Sequence, residues 1–215
     1  MRRRRDADAS EQKQGRTGIA AVIELVVIVA VALGMALLIQ AFLVKPYKIP
    51  SASMEPTLVV GQRVLVNRLS QRFGEPKIGN VTVFHPPYGA GKVNQRCGDP
   101  NQKPGQPCGL PVSKRADEYF VKRIVAGPGD RLFVRDGHAF VNGRRQPDAF
   151  TNPCGSATGC TLPTPITVPA DHWFMMGDNR GMSDDSRFWG PVPTDWIIGP
   201  AFATYWPVNR IGGID

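Results

Sequence analysis

Apolar positions are distributed very unevenly along this chain. From Ile19 to Val44 it reads IAAVIELVVIVAVALGMALLIQAFLV, with Glu24 and Gln40 the only polar residues and nothing polar between Leu25 and Ile39. A bilayer core about 30 Å thick needs roughly 20 apolar residues in helical form, so the run predicts one membrane-spanning helix over 18–44. A cleaved signal peptide competes with this reading. A basic segment precedes the run, and Ser51-Ala52-Ser53 follows it like a small-x-small site. Signal-peptide apolar cores extend only about 7–15 residues, and Pro50 directly before that site suits cleavage poorly. An uncleaved anchor fits better.

Beyond Pro46 the pattern changes. Short runs rich in β-branched and aromatic residues recur between Gly, Pro and Asp-Gly breaks, predicting strands at 63–67, 80–84, 119–125, 131–134, 139–142, 172–176 and 199–205. Asp136-Gly137 between two of them is a hairpin signal. With 20 prolines and 23 glycines in the chain, long helices after the anchor are not expected. Stretches 86–115 and 144–165 read as loop insertions, and no internal repeat is visible. The organisation expected is a polar tail over 1–17, an anchor over 18–44, and a mainly β domain over 45–215.

Charge adds an orientation. The chain carries 26 Lys plus Arg against 18 Asp plus Glu, a net charge of +8. Six of those cations (Arg2, Arg3, Arg4, Arg5, Lys13, Arg16) and only three acids fall in the first 17 residues, so the rest is mildly basic. No basic stripe interleaved with aromatics supports nucleic-acid binding. An Arg-rich tail before an apolar helix stays cytoplasmic by the positive-inside rule, which puts everything after Val44 outside. Glu24 lies within two turns of the tail end, near the interface, with no assigned role.

The cysteines fit that orientation. Cys97, Cys108, Cys154 and Cys160 all lie beyond the anchor, and an even count in an oxidising compartment points to two disulfides with three connectivities open. The local pairs, Cys97 with Cys108 and Cys154 with Cys160, would each staple a Gly/Pro-rich loop. No Cys-x-x-Cys spacing exists and no histidine clusters with a cysteine, which disfavours zinc.

Three segments carry the candidate chemistry: Ile49–Leu58, reading IPSASMEPTL; YFVKRIV at 119–125, leading to GPGD at 127–130; and GDNRGMSDDSR at 177–187. A serine becomes nucleophilic only when a nearby base takes its proton. His85, His138 and His172 sit outside these polar clusters and read as structural. Lysine replaces histidine when an apolar site disfavours its charged form. In a strand over 119–125, alternation points Lys122 the same way as Phe120 and Ile124, two large apolar residues. Taken alone, VKRIV is more commonly a snorkelling lysine at a strand edge.

Together, and in this order after an anchor, the three segments resemble type I signal peptidase, the membrane-bound serine protease family with a Ser/Lys dyad. Gly61–Asn67 (GQRVLVN) resembles a further family box, although Gln62 stands where Asp is usual. The likeness covers about residues 19–207, and lysine rather than histidine in the second segment resembles the bacterial and organellar branch. The resemblance implies a signal-peptidase-like β architecture and roles for matching residues. Ser53 would be the nucleophile and Lys122 the general base. Ser183 would hydrogen-bond and orient the lysine amine, and the Ser51 hydroxyl with the Ser53 backbone N–H would form the oxyanion hole. Arg123, Asp178, Asp185 and Arg187 would brace the site from behind. Tyr47, Ile49, Met54, Leu58, Val64 and Val121 would line shallow apolar pockets for the small residues flanking the cut. Phe42, Tyr47, Trp196 and Trp206 would contribute to an exposed apolar surface beside the membrane.

The resemblance implies substrates that are signal peptides of exported preproteins, a lipid bilayer as partner, and cleavage on the outer face. No metal or organic cofactor is called for, because the Ser/Lys chemistry is complete. Two alternatives stand beside it: another tethered Ser/Lys protease acting on folded precursors, and an inert outer binding module. The joint presence of Ser53, Lys122 and Ser183 argues against the second.

Overall fold

The computed structural model describes residues 18–37, 43–70, 74–92 and 97–214. The chain separates into two units, residues 1–43 and 44–215. The described part of the first is a helix, α1 (Gly18–Leu37), long and apolar enough to cross a membrane and exposed along its whole length. The tail over 1–17, together with Gln40 and Phe42, lies outside the described residues. Val44, assigned to the anchor by the apolar run, instead begins a strand of the second unit, where it pairs with Asn67.

That second unit is mainly β. A large antiparallel sheet has the order β1 (Val44–Lys48), β2 (Arg63–Asn67), β11 (Ile197–Trp206), β3 (Val81–Phe84), β4 (Phe120–Ala126), β9 (His172–Met176), β10 (Val192–Pro193), with β12 (Gly212–Gly213) paired to β11. A smaller sheet has the order β7 (Arg144–Arg145), β6 (His138–Val141), β5 (Arg131–Arg135), β8 (Leu162–Thr167). Helix α2 (Ser186–Trp189) is a single turn.

All seven strands expected from the sequence are present, with ends shifted by at most two residues. The β5–β6 hairpin turns at Asp136 and Gly137 with φ of +50° and +78°, the two left-handed positions that such a two-residue turn requires. β1 and β8 were not expected, since VKPYK and LPTPIT carry prolines that lack a ladder donor. Both are edge strands, the place where that deficit is tolerated. β7 and β8 thus correct the reading of 144–165 as loop throughout. The other insertion, 86–115, contains no strand among its described residues.

β4 positions the site. Its side chains feed three apolar clusters: Val121 joins Ile49, Met54, Leu58 and Val64, while Val125 and Ala126 join Leu132, Val134 and Phe174. Ile124 joins Phe84, Trp173, Met175, Trp189 and Trp196. Every residue from Val121 to Ala126 is buried. A cation in the middle of such a strand is buried by its neighbours whatever its own preference, and Lys122 and Arg123 are only 4% and 5% exposed.

The expected membrane-facing set is corrected by the same packing. Trp196 and Tyr47 are core residues, 9% and 8% exposed, and only Trp206 of the described three is open to solvent. The exposed large apolar residues near it in the chain are Phe202, Val208 and Ile211.

Candidate active site

Ser53 lies in a 3-10 turn, Ala52–Met54, held at both ends. Ile49 N–H donates to Gln62 O at 2.8 Å and Gly61 N–H to Ile49 O at 2.9 Å, while the buried side chains of Met54 and Leu58 pin the turn to the core. The loop after β9 docks against the same turn. Asn179 N–H donates to Ser53 O at 3.1 Å and its side-chain amide to Ala52 O at 3.2 Å. Gly177 must be glycine at this contact, because a Cβ there would overlap the Ser183 hydroxyl and the Ser53 carbonyl oxygen.

β4 delivers Lys122 to this turn. Its Nζ lies 2.5 Å from Ser53 Oγ, a single hydrogen bond, and 5.6 Å from the centre of the Phe120 ring. Burial pushes the amine from its ordinary 10.5 down to about 8, opposed by the charges of Asp185 and Asp184. Among the described residues no carboxylate forms an ion pair with it. The nearby hydroxyl of Ser51 is exposed and stands 3.2 Å from Ser53 Oγ. Because Ser53 belongs to the first turn of a helix-like segment, its N–H points away from any intrahelical acceptor.

A cavity of about 260 Å³ opens over this pair, lined by Ile49, Pro50, Ser51, Ser53, Met54, Gly91, Phe120, Val121, Lys122, Met182 and Asp184. Its wall is mostly apolar, and Ser53 and Lys122 are among the polar residues that line it. None of the histidines is here. His85 and His172 bond through Nδ1 to backbone carbonyls, and His138 Nδ1 bonds Asp148 at 2.6 Å. Among the described residues, no group of His, Cys, Asp and Glu is placed to hold a metal ion.

The family description "Signal peptidase, peptidase S26" matches residues 22–206. The chain belongs to that family. Among its relatives, a probable signal peptidase I-2 of Synechocystis sp. is 32% identical over 92% of this chain and 74% of its own length. A signal peptidase I of Leptolyngbya laminosa is 35% identical over 83% of this chain and 76% of the relative. Signal peptidase IB of Staphylococcus aureus is 28% identical over 88% and 92%. The protein is therefore an S26-family peptidase with a mainly β fold.

Within this signal peptidase fold, two buried ion pairs stand behind the cavity. Arg123 grips Asp178 with Nε at 3.0 Å and Nη2 at 2.8 Å, and Thr57 adds its hydroxyl to the same carboxylate at 2.6 Å. Asp185 binds Arg187 at 2.8 and 2.9 Å, caps α2, and accepts the Gly177 N–H at 3.0 Å. Arg187 in turn donates to the carbonyls of Arg180 and Ser183, which closes the motif loop on itself. These contacts pull Asp185 below the usual carboxylate range even though burial pushes it upward.

The expected pocket residues separate into two groups. Ile49, Met54 and Val121 face the cavity, whereas Tyr47, Leu58 and Val64 lie in the core cluster behind it. Ser183 is buried beside this centre, but the hydrogen bond to Lys122 implied by the resemblance is not formed here. Gln62, the departure from the family box, is 2% exposed and satisfied by Val59 N–H at 2.9 Å and Thr204 Oγ1 at 2.7 Å. Cys97 pairs with Cys108 and Cys154 with Cys160.

Residues missed in the sequence are Phe120, Met182, Asp184 and Gly91 on the cavity wall, and Thr57, Asn179 and Arg180 around the brace. Arg180 reaches Gly137 O and Gly177 O. Asn179, Arg180, Met182 and Asp184 all sit inside the quoted GDNRGMSDDSR segment, so that segment held the signal. Gly91 had none.

Proposed function

We propose that this chain is a membrane-anchored serine endopeptidase that removes signal peptides from exported preproteins, with Ser53 as nucleophile and Lys122 as general base. One observation carries the reading: the Lys122 amine lies 2.5 Å from Ser53 Oγ, buried, with its basicity lowered to about 8 by its apolar surroundings. The neutral amine takes the hydroxyl proton as Ser53 Oγ attacks the scissile carbonyl carbon. The Ser51 hydroxyl and the Ser53 N–H stabilise the oxygen on which charge develops. Lys122 then passes its proton to the departing amine, leaving an acyl-serine that water hydrolyses through the same base.

A small apolar cavity walled by Ile49, Met54 and Val121 supports cleavage after small-x-small sequences. The exposed apolar helix Gly18–Leu37 and the Arg-rich segment before it support a single-pass anchor in the lipid bilayer, with the N-terminus cytoplasmic and the β unit on the outer face. The test is cleavage of an Ala-x-Ala signal-peptide substrate by the full-length chain. Wild type should cut it and leave a bulky −1 variant intact, and Ser53→Ala should lose essentially all turnover. Cleavage by Ser53→Ala would sink the reading.

A further inference from the structure

The cavity wall contains a carboxylate outside the two buried ion pairs. Asp184, half-buried, lies between Ser183 and Asp185, and its Oδ2 accepts the Gly91 N–H at 2.5 Å. Gly91 lies in the stretch 86–92 of the 86–115 insertion, and its neighbours there are anchored. Tyr88 N–H donates to Lys114 O, Ala116 N–H to Pro86 O, and Ala90 is buried in the cluster of Phe84, Ile124 and Trp189. Gly91 approaches the site closely: a Cβ on it would sit 3.3 Å from the Phe120 ring and 3.9 Å from Asp184 Oδ2, in a backbone conformation (φ +78°) that favours glycine. Gly91, Phe120 and Asp184 share the wall of the cavity that holds Ser53 and Lys122.

We propose that Asp184 is a positioning residue for the Ser53–Lys122 pair, tying the backbone at Gly91 to the cavity wall and setting a negative charge in the cavity that holds the lysine amine. The inference rests on the Ser/Lys reading above. Among the described residues, Asp185, Asp184 and Asp178 favour the protonated form of Lys122 and Arg187 opposes it. Asp185 is paired with Arg187 and Asp178 with Arg123, so both carboxylates belong to the brace. Asp184 is the carboxylate that reaches the cavity itself. A carboxylate there keeps the amine a stronger base than burial alone would leave it, at the cost of a smaller neutral fraction at low pH.

The charge and the clasp separate by substitution. Asp184→Asn removes the charge and keeps an oxygen for the Gly91 N–H, whereas Asp184→Ala removes both. The full-length protein in detergent micelles would be assayed on the Ala-x-Ala signal-peptide substrate from pH 6 to 10, with Ser53→Ala alongside. Asp184→Asn should move the acidic limb of kcat/KM down by roughly half a pH unit, the order of one partly screened charge, and raise the rate at low pH about threefold with KM unchanged. Asp184→Ala should show the same displacement together with a KM rise of about 3–10-fold and faster amide hydrogen exchange across 86–92. An Asp184→Asn profile that superimposes on wild type, or an Asp184→Ala protein with unchanged exchange and KM, would overturn the inference while leaving the dyad standing. Turnover by Ser53→Ala would remove the dyad and the inference with it.

Discussion

Lys122 and Arg123 are consecutive in β4, equally buried, and treated in opposite ways by the two faces of one strand. On the Arg123 face, Asp178 accepts two hydrogen bonds from the guanidinium, the Gly79 carbonyl accepts a third, and the Phe150 ring centre lies 4.1 Å from it. On the Lys122 face stand a hydroxyl, an aromatic ring and an apolar cavity. A buried charge that is matched by a bidentate carboxylate stays charged and acts as structure. A buried amine without such a partner gives up its proton more readily and becomes a base near neutral pH. Strand alternation is thus enough to separate an ion-paired guanidinium from the proposed base within two residues. It also explains the choice of residue type, since a guanidinium cannot be deprotonated in a protein and an ammonium can.

The strongest test of that contrast exchanges the residue types. Lys122→Arg retains the positive charge and approximate length but cannot accept the Ser53 proton. Turnover of a signal-peptide substrate should fall by about 10³-fold or more, the upper range for losing a general base together with its nucleophile's activation. Measurable cleavage at near wild-type rate would show that the proton goes elsewhere.

The other face should answer in stability rather than in chemistry. Arg123→Met leaves Asp178 buried at 0% exposure with, among the described residues, the Thr57 hydroxyl as its remaining side-chain partner. Breaking a buried pair on one side costs about 3–5 kcal/mol, which for a unit of this size lowers the melting temperature by roughly 10 °C. Circular dichroism of the full chain in detergent would record it. A melting temperature within a degree or two of wild type would mean that Arg123 is not the brace described here.

How far the sequence reached follows from the same physics. The strands with clean alternation or buried β-branched runs, such as β2, β4 and β9, were legible because burial imposes their pattern. β1 and β8 were not, because proline hides an edge strand from any propensity argument. The motif segments located Ser53, Lys122 and the two ion pairs, since those residues are chemically unusual where they stand. Tyr47, Leu58, Val64 and Trp196 were ambiguous for a different reason: an apolar side chain reads alike whether it faces a pocket, a membrane or a core, and only packing decides. Gly91 was invisible, because its role depends on a contact with Asp184, 93 residues away in sequence.

The subtlest test sets Lys122→Met beside Arg123→Met. Burial lowers the Lys122 amine from 10.5 to about 8, so between those pH values the folded chain holds fewer protons than the unfolded one. Stability with respect to this group therefore rises with pH across that window. Below pH 8 the folded state carries the whole cost of a buried ammonium, at most about 3 kcal/mol from the size of the shift. Above pH 10.5 both states are neutral and the cost is gone. Replacing the lysine by methionine, similar in length and apolar, removes that cost and suits a cavity wall that already includes Phe120, Val121 and Met54. The inactive variant should accordingly melt higher than wild type at pH 7, by about 1–3 kcal/mol of added stability, with the gain shrinking toward zero as pH approaches 10.5. The opposite response, a loss at pH 7 like that of Arg123→Met, would place Lys122 in the structural frame and dissolve the contrast between the two faces of β4.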